Sequence, residues 1–347
     1  MDTTILLFLL QDGLTSGAIY ALLGLALVLV FAVTRVIFVP QGEFVAWGAL
    51  TLAALDAGKT PGTVWLALAF GALACAGDLW SARGSLGGRD FAYIVARTLG
   101  PPLLAALAVI VVAPMRPPAF VCVLLTLAII APMGASLYRI AFRPLAEASV
   151  LTLFIAAIGL HFAMTGLGLV FFGAEGQRAR ALSDMAQSVG PLIVTGQAMF
   201  IYIATLVSMA SLALFFNRAL LGKALMATAM NRLGARLVGV RTEFSGRLAF
   251  TLAALIGALS GVLIAPTTTI YYDTGFLIGL KGFIAAIIGA LASYPVTALA
   301  ALGIGIIESF ASFFASNFKE VIVFTLIVPV LLWLSLAHGH ADAEEEH

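Results

Sequence analysis

Two opposite charges stand deep in apolar sequence: Lys281, within Gly279-Leu280-Lys281-Gly282-Phe283, and Glu308, within Ile306-Ile307-Glu308. A charge at the centre of a membrane-spanning helix costs roughly 2.5–3.5 kcal/mol on insertion scales, so such residues pair or serve a polar path. Residues 281 and 308 are nearly equidistant from the turn at Tyr294. In an antiparallel hairpin they reach similar depth, nearer the outer face, and the expectation is that they meet. The alternative is that each snorkels separately to the outer interface. Ser136 and His161 have the types of an intramembrane Ser/His hydrolase, although both types commonly hydrogen-bond between membrane helices. Cys75 and Cys122 lie in apolar stretches without CxxC spacing, and are read as small buried hydrophobes. Leu221-Gly222-Lys223-Ala224 lacks the first Gly and the Ser/Thr of a phosphate loop, so any ATP chemistry belongs to another chain. No H-E-x-x-H occurs. His338 and His340 fall in an acidic tail, 338–347, read as solvated and disordered rather than as metal ligands. No catalytic residue, metal site or cofactor is assigned to this chain.

Of all residues, 62% are hydrophobic and 10% charged, against about 45–50% and about 25% in soluble domains. That much apolar surface has to face lipid. In lipid every backbone polar group needs an internal partner, which selects helices or a closed barrel. Runs such as Ala21 to Val33 do not alternate, so helices win. The expected fold is an all-α integral membrane protein, a polytopic bundle of about 9–11 transmembrane helices over residues 1–337. Eleven spans are marked: 13–34, 42–57, 62–80, 92–114, 118–138, 148–172, 191–216, 247–266, 275–292, 296–313 and 320–337. The second, ninth and tenth are open to being half-helices or re-entrant segments. The N-terminal Met-Asp-Thr-Thr lacks the basic region of a signal peptide, so the first helix is expected to be retained. The formal net charge of +1 gives no reason to expect nucleic acid as a partner.

With the N-terminus outside, inner loops carry ten basic residues: Arg35, Arg83, Arg89, Arg139, Arg143, Arg218, Lys223, Arg232, Arg236 and Arg241. Outer loops carry five: Lys59, Arg116, Arg178, Arg180 and Lys319. This bias predicts N-out, C-in. Residues 173–190 read as a polar outer loop. Residues 217–246 read as a long basic inner loop with a short amphipathic helix. Leu221, Leu225, Ala229, Leu233 and Leu237 recur every four residues and share one face, with Thr228, Arg232 and Arg236 beside it. Gly234 and Gly239 are expected to divide it into two pieces. Such a helix rests either on anionic headgroups or in a protein groove; Asn231, Glu243 and the small residues of the stripe favour the groove.

Several segments in order resemble one family. Gly13-Leu-Thr-Ser-Gly17-Ala-Ile-Tyr20 to Gly24, then Thr34-Arg35-Val36-Ile37 and Gln41-Gly42-Glu43-Phe44, resemble the start of LivH-type permeases of branched-chain amino acid ABC importers. Tyr138-Arg139 through Arg143-Pro144-Leu145, Leu221 to Ala224, Leu237 to Val240, Phe250 to Ala265, Gly279 to Phe283 and Phe318 to Ile322 continue the likeness over about 1–57 and 138–336. The resemblance implies a second homologous permease, two cytoplasmic ATPase subunits that bind ATP and Mg, a periplasmic solute-binding protein, and residence in a bacterial inner membrane. It makes the inner loop the ATPase-coupling element, carried by Ala224, Leu225, Thr228, Asn231, Arg232, Leu233, Arg236 and Leu237. Tyr20, Gln41, Lys281, Tyr294 and Glu308 are the expected polar residues of the translocation path. The sequence departs from the family pattern at Phe38 to Glu43, at Gly289 to Ala298 and in the tail, and 58–117 reads as extra material carrying about two spans. The substrate class therefore extends from branched-chain amino acids to amides, urea and aromatic acids. A self-sufficient channel or secondary carrier, and a membrane enzyme using Ser136 or His161, are the competing readings.

Overall fold

A computed structural model describes residues 3–82, 88–183, 185–189, 192–326, 328–330 and 332. Arg83 and the tail 338–347 lie outside the described residues. Thirteen α-helices run along the described chain: α1 (Thr3–Thr34), α2 (Gln41–Asp56), α3 (Thr63–Ser81), α4 (Gly88–Val112), α5 (Ala119–Leu137), α6 (Val150–Phe172), α7 (Gly196–Arg218), α8 (Leu220–Met230), α9 (Arg232–Leu237), α10 (Thr242–Ile264), α11 (Thr274–Ile288), α12 (Tyr294–Phe314) and α13 (Lys319–Thr325). A π-helical turn, Tyr138–Phe142, prolongs α5. Eight of the described helices are long and apolar enough to cross a membrane. The shorter α2 and α11 have 16 and 15 residues, or about 24 and 22 Å. In α2 all but two residues are covered by other helices, whereas α11 is buried on one side and leaves Leu277 exposed. Of the eleventh expected span, α13 and residues 328–330 are helical as described.

The core is α1 wrapped by α12, α10, α11 and α7. An apolar sequence on every side, as in α1, is the pattern of a helix buried all round. Two places bring backbones together because side chains are absent. A Cβ on Gly13 or Gly17 would stand 2.6 or 2.7 Å from the Cα of Ile306 or Leu302 in α12. A Cβ on Gly42 would stand 2.0 Å from the carbonyl oxygen of Gly275, joining α2 to α11. A second helix pair, α3 and α4, leans on α5. Its outer surface carries Leu103, Leu104, Leu107 and Val111, all exposed, as a lipid-facing flank requires.

Two expectations are corrected: the start of the seventh span and the break in the inner loop. The seventh span does not begin at 191, because a hairpin precedes it. Strands β1 (Ala186–Val189) and β2 (Leu192–Thr195) form an antiparallel hairpin, and a bridge joins Gln177 to Ile270. The β-branched Ile193, Val194 and Thr195 suit a strand. Helix α7 starts only where the Thr195 side chain accepts the Ala198 N–H at 3.3 Å. The inner loop breaks at Asn231, not at the glycines. Asn231 takes an extended backbone, and its side-chain oxygen accepts the Gly234 N–H at 2.8 Å, capping α9. Gly234 stays helical, and Gly239, at φ +86°, ends the piece.

Gly17→Leu is expected to prevent accumulation of folded chain in the membrane fraction, because the added branch meets α12 backbone. Overpacking of this kind costs at least about 1–3 kcal/mol. Gly303→Leu on α12, where a Cβ meets nothing within 4 Å, is expected to leave the yield unchanged. Equal yields of both variants, measured by fluorescence-detected gel filtration, would remove the glycine contact from the account.

Candidate functional site

Lys281 and Glu308 do meet. The Lys281 ammonium lies 2.5 Å from Glu308 Oε1 and 3.2 Å from Glu320 Oε1, so α11, α12 and α13 share one charge cluster. The Tyr20 hydroxyl of α1 donates to Glu308 Oε2 at 2.6 Å, and the ammonium sits 5.6 Å from the centre of the Tyr20 ring. At the next residue of α12, the Ser309 hydroxyl donates to Asp12 of α1 at 3.1 Å. Tyr20 and Lys281 are about 5% exposed. A charge this buried is tolerable only with its partners in place, and removing one partner leaves the other uncompensated. Separate snorkelling is therefore corrected: Glu308 stands six residues before the end of α12 and Glu320 one residue into α13, so both reach Lys281 without lengthwise displacement.

The other two expected path residues lie elsewhere. Gln41 is fully buried at the start of α2 and donates through Nε2 to the Ala253 carbonyl of α10 at 2.9 Å. Tyr294 opens α12, packs its ring 5.7 Å from Phe216, and lines a cavity of about 310 Å3 with Arg35, Leu225 and Met226. It belongs beneath α8, away from the charge cluster.

Ser136 and His161 make no catalytic pair. The Ser136 hydroxyl donates to Pro132 of its own helix at 3.1 Å. His161 Nδ1 lies 2.9 Å from Glu43 Oε1, and Thr165 donates to the same oxygen at 3.3 Å. Glu43 is completely buried. Sequence reasoning placed Glu43 in a motif and missed its partner. The signal was there in types alone: one carboxylate and one imidazole, each isolated in an apolar span, each needing a counterpart. The His161 ring also lies tilted against Phe276 at 4.6 Å and borders an apolar cavity of about 460 Å3 between α1, α6 and α11.

The inner-loop residues divide into two sets. Leu225 turns inward and packs with Leu29, Val33 and Ala249, and the Thr228 hydroxyl, 3.1 Å from the Ser245 hydroxyl, donates to the Ala224 carbonyl at 2.8 Å. These two anchor α8 to α1 and α10 rather than face outward. Leu221, Leu225, Ala229, Leu233 and Leu237 therefore form no common face, because the turn at Asn231 redirects α9. The most exposed apolar residues are Leu220, Met230, Leu233, Leu237 and Val238, all between 69 and 84% exposed, with Leu221 and Met226 less so. Arg232 donates to the Ala146 carbonyl at 2.8 Å; Arg236 donates to Thr242 at 3.1 Å and lies 3.7 Å from Glu147. Both arginines thus tie α9 to the α5–α6 turn and to α10.

Residues 82–331 match the family described as the permease component of branched-chain amino acid transport systems. The chain belongs to that permease family. It is similar to the high-affinity branched-chain amino acid transport permease LivH of Escherichia coli, 31% identical over 211 residues, covering 57% of this chain and 67% of the relative. It is also similar to BraD of Pseudomonas aeruginosa, 29% identical over 210 residues, covering 58% and 67%. LivH of Salmonella typhimurium matches at 30% over the same length as its E. coli counterpart. The chain is a multi-pass membrane permease component of an ABC transport system, and such components are not themselves enzymes. A self-sufficient channel or carrier is not favoured.

Lys281→Met and Glu308→Leu are each expected to destabilise the permease by roughly 3–5 kcal/mol, the cost of orphaning a buried charge. The double variant is expected to be milder than the sum of the two. The check is the thermal unfolding midpoint in detergent; purely additive losses contradict the pairing.

Proposed function

We propose that this chain is the permease subunit of an ATP-driven importer for branched-chain amino acids or related small solutes. In this reading it pairs with a second homologous permease and stands on two cytoplasmic ATPase subunits that bind ATP and Mg. A periplasmic binding protein delivers the solute. The carrying observation is a family match that includes a helix pair, α8–α9, with Leu220, Met230, Leu233 and Leu237 exposed on it.

The orientation proposed is N-terminus outside and C-terminus cytoplasmic. Supporting it, Arg139, Arg143, Arg232, Arg236 and Arg241 line adjoining cavities at one end of the bundle, and Arg35 lies near α8 at that same end. The opposite end holds Arg180, bonded through its N–H to Asp56 at 2.9 Å, and Arg178, donating to Pro266 at 2.9 Å. The more basic end is the cytoplasmic one.

Coupling then follows from the anchoring. An ATPase groove receives Met230, Leu233, Leu237 and Val238, and Asn231 keeps α9 angled away from α8. Arg232 and Arg236 carry displacement of α9 to the Ala146 turn and to α10. Helix α10 packs on α1, α2 and α5, so its movement reaches the whole core. Ala224, Leu225 and Thr228 form the hinge side of this lever. In the outer half, Tyr20, Lys281 and Glu308 become part of a polar path when α11 separates from α12. Gln41 and Tyr294 adjust with α2 and α12.

Leu233→Asp/Leu237→Asp is expected to abolish co-purification of ATPase subunits from detergent-solubilised membranes, while the folded permease is retained. Arg232→Glu/Arg236→Glu is expected to weaken it as well, by loosening α9 from its seat. Undiminished recovery of the ATPases with the Leu233→Asp/Leu237→Asp form would sink the coupling assignment.

A further inference from the structure

At the α8–α9 end, a cavity of about 810 Å3 opens between α3, α4, the π-turn after α5 and the start of α10. Six arginines line it: Arg97, Arg139, Arg143, Arg236, Arg241 and Arg247. Two carboxylates accompany them, Asp78 and Glu243. Both acids are already engaged. Asp78 lies 2.5 Å from Arg143 and 3.6 Å from Arg139, and Glu243 lies 3.1 Å from Arg143. Thr98 fixes the floor: its hydroxyl accepts from Arg139 at 2.7 Å and donates to Asp78 at 3.3 Å.

Arg97, Arg241 and Arg247 are left over. Arg241 is exposed, whereas Arg97 and Arg247 each lie over an aromatic ring of their own helix, Tyr93 at 5.9 Å and Phe244 at 5.3 Å. Among the described residues, neither pairs with a carboxylate. Arg247 stands more than one turn inside α10, where an unpaired charge is costly. Unmatched guanidinium groups on one cavity suit an anion with several acceptor oxygens, and phosphate geometry matches the guanidinium fork.

The walls indicate the source of that phosphate. Tyr93, Ile94, Val240 and Phe244 give the cavity an apolar side. Trp80, Phe91 and Tyr93 are 50–67% exposed at the ends of α3 and α4, where aromatic side chains mark the headgroup level of a bilayer. Basic cavities between helices at that level hold anionic lipid headgroups. We propose that this arginine-lined cavity binds the phosphodiester headgroup of an anionic phospholipid, held by Arg97 and Arg247 against the Arg139–Asp78–Arg143 floor. The site does not depend on the transport reading. It places a lipid between the α3–α4 pair and the first turns of α10.

The test is native mass spectrometry of the full chain in neutral detergent, titrated with phosphatidylglycerol or phosphatidylcholine, with inorganic phosphate as competitor. Phosphatidylglycerol is expected to bind at least about tenfold more tightly than phosphatidylcholine, at one headgroup's worth of arginine contacts. Arg97→Gln/Arg247→Gln is expected to weaken phosphatidylglycerol binding on the order of 30-fold, at about one tenfold step per 1.4 kcal/mol. Arg97→Lys/Arg247→Lys is expected to fall between the unmodified and Gln forms, keeping the charge but losing the guanidinium fork. Should the double Gln form misfold on gel filtration, Arg97→Gln alone, at an exposed position, gives the same reading with a smaller loss. Equal binding of the two lipids, unchanged binding by a folded Gln variant, or full displacement by millimolar inorganic phosphate would each overturn the lipid assignment.

Discussion

Lipid tails solvate leucine as well as another helix does, so apolar area alone cannot hold a membrane bundle together. Close packing has to supply the cohesion, and here it comes from backbone meeting backbone. Gly13 and Gly17 of α1 face Leu302, Gly305 and Ile306 of α12; Gly42 of α2 faces Gly275 and Gly279 of α11. These contacts draw the helices within reach of short polar side chains. The Tyr20–Glu308 hydrogen bond joins the same antiparallel pair of helices that these glycines hold together. Gln41, beside Gly42, reaches the Ala253 carbonyl.

The polar interior is built on that frame. Lys281 with Glu308 and Glu320, Glu43 with His161 and Thr165, and Thr51 with Thr63 each join two or more helices. None is worth much as a source of stability over an apolar replacement of the same shape, but each is costly to break halfway. They fix which helix neighbours which, and at what depth. The anchored α8–α9 pair differs: it holds to the bundle by Leu225, Thr228, Arg232 and Arg236, and presents its remaining apolar side chains outward. A rigid interior joined to a lightly tied surface segment is an arrangement through which a partner's motion can enter.

The helices were legible because each of them is a long run of apolar residues with polar ends, and a bilayer leaves such runs one conformation. The Lys281–Glu308 contact was legible from spacing about a single turn. The β-hairpin at 186–195 was hidden, since Leu192 to Val194 continues without a break into the apolar α7 and only the Thr195 cap separates them. The face of α8–α9 was misjudged because a four-residue repeat assumes one continuous helix, and Asn231 interrupts it with a backbone turn that periodicity does not register. Glu43 and His161 are 118 positions apart, and nothing short of the packing of α2 on α6 joins them. The arginine cavity was visible only as a bias in loop charge; its concentration into one site needed α3 and α4 beside α10.

The most direct test of the transport account is solute flux in proteoliposomes, comparing this chain alone with the complete assembly of permeases, ATPases and binding protein. Labelled leucine should accumulate only in the complete assembly, only with ATP, and only with the binding protein on the side of the chain's N-terminus. Leucine or another small solute crossing membranes that contain this chain alone, without ATP, would contradict the account.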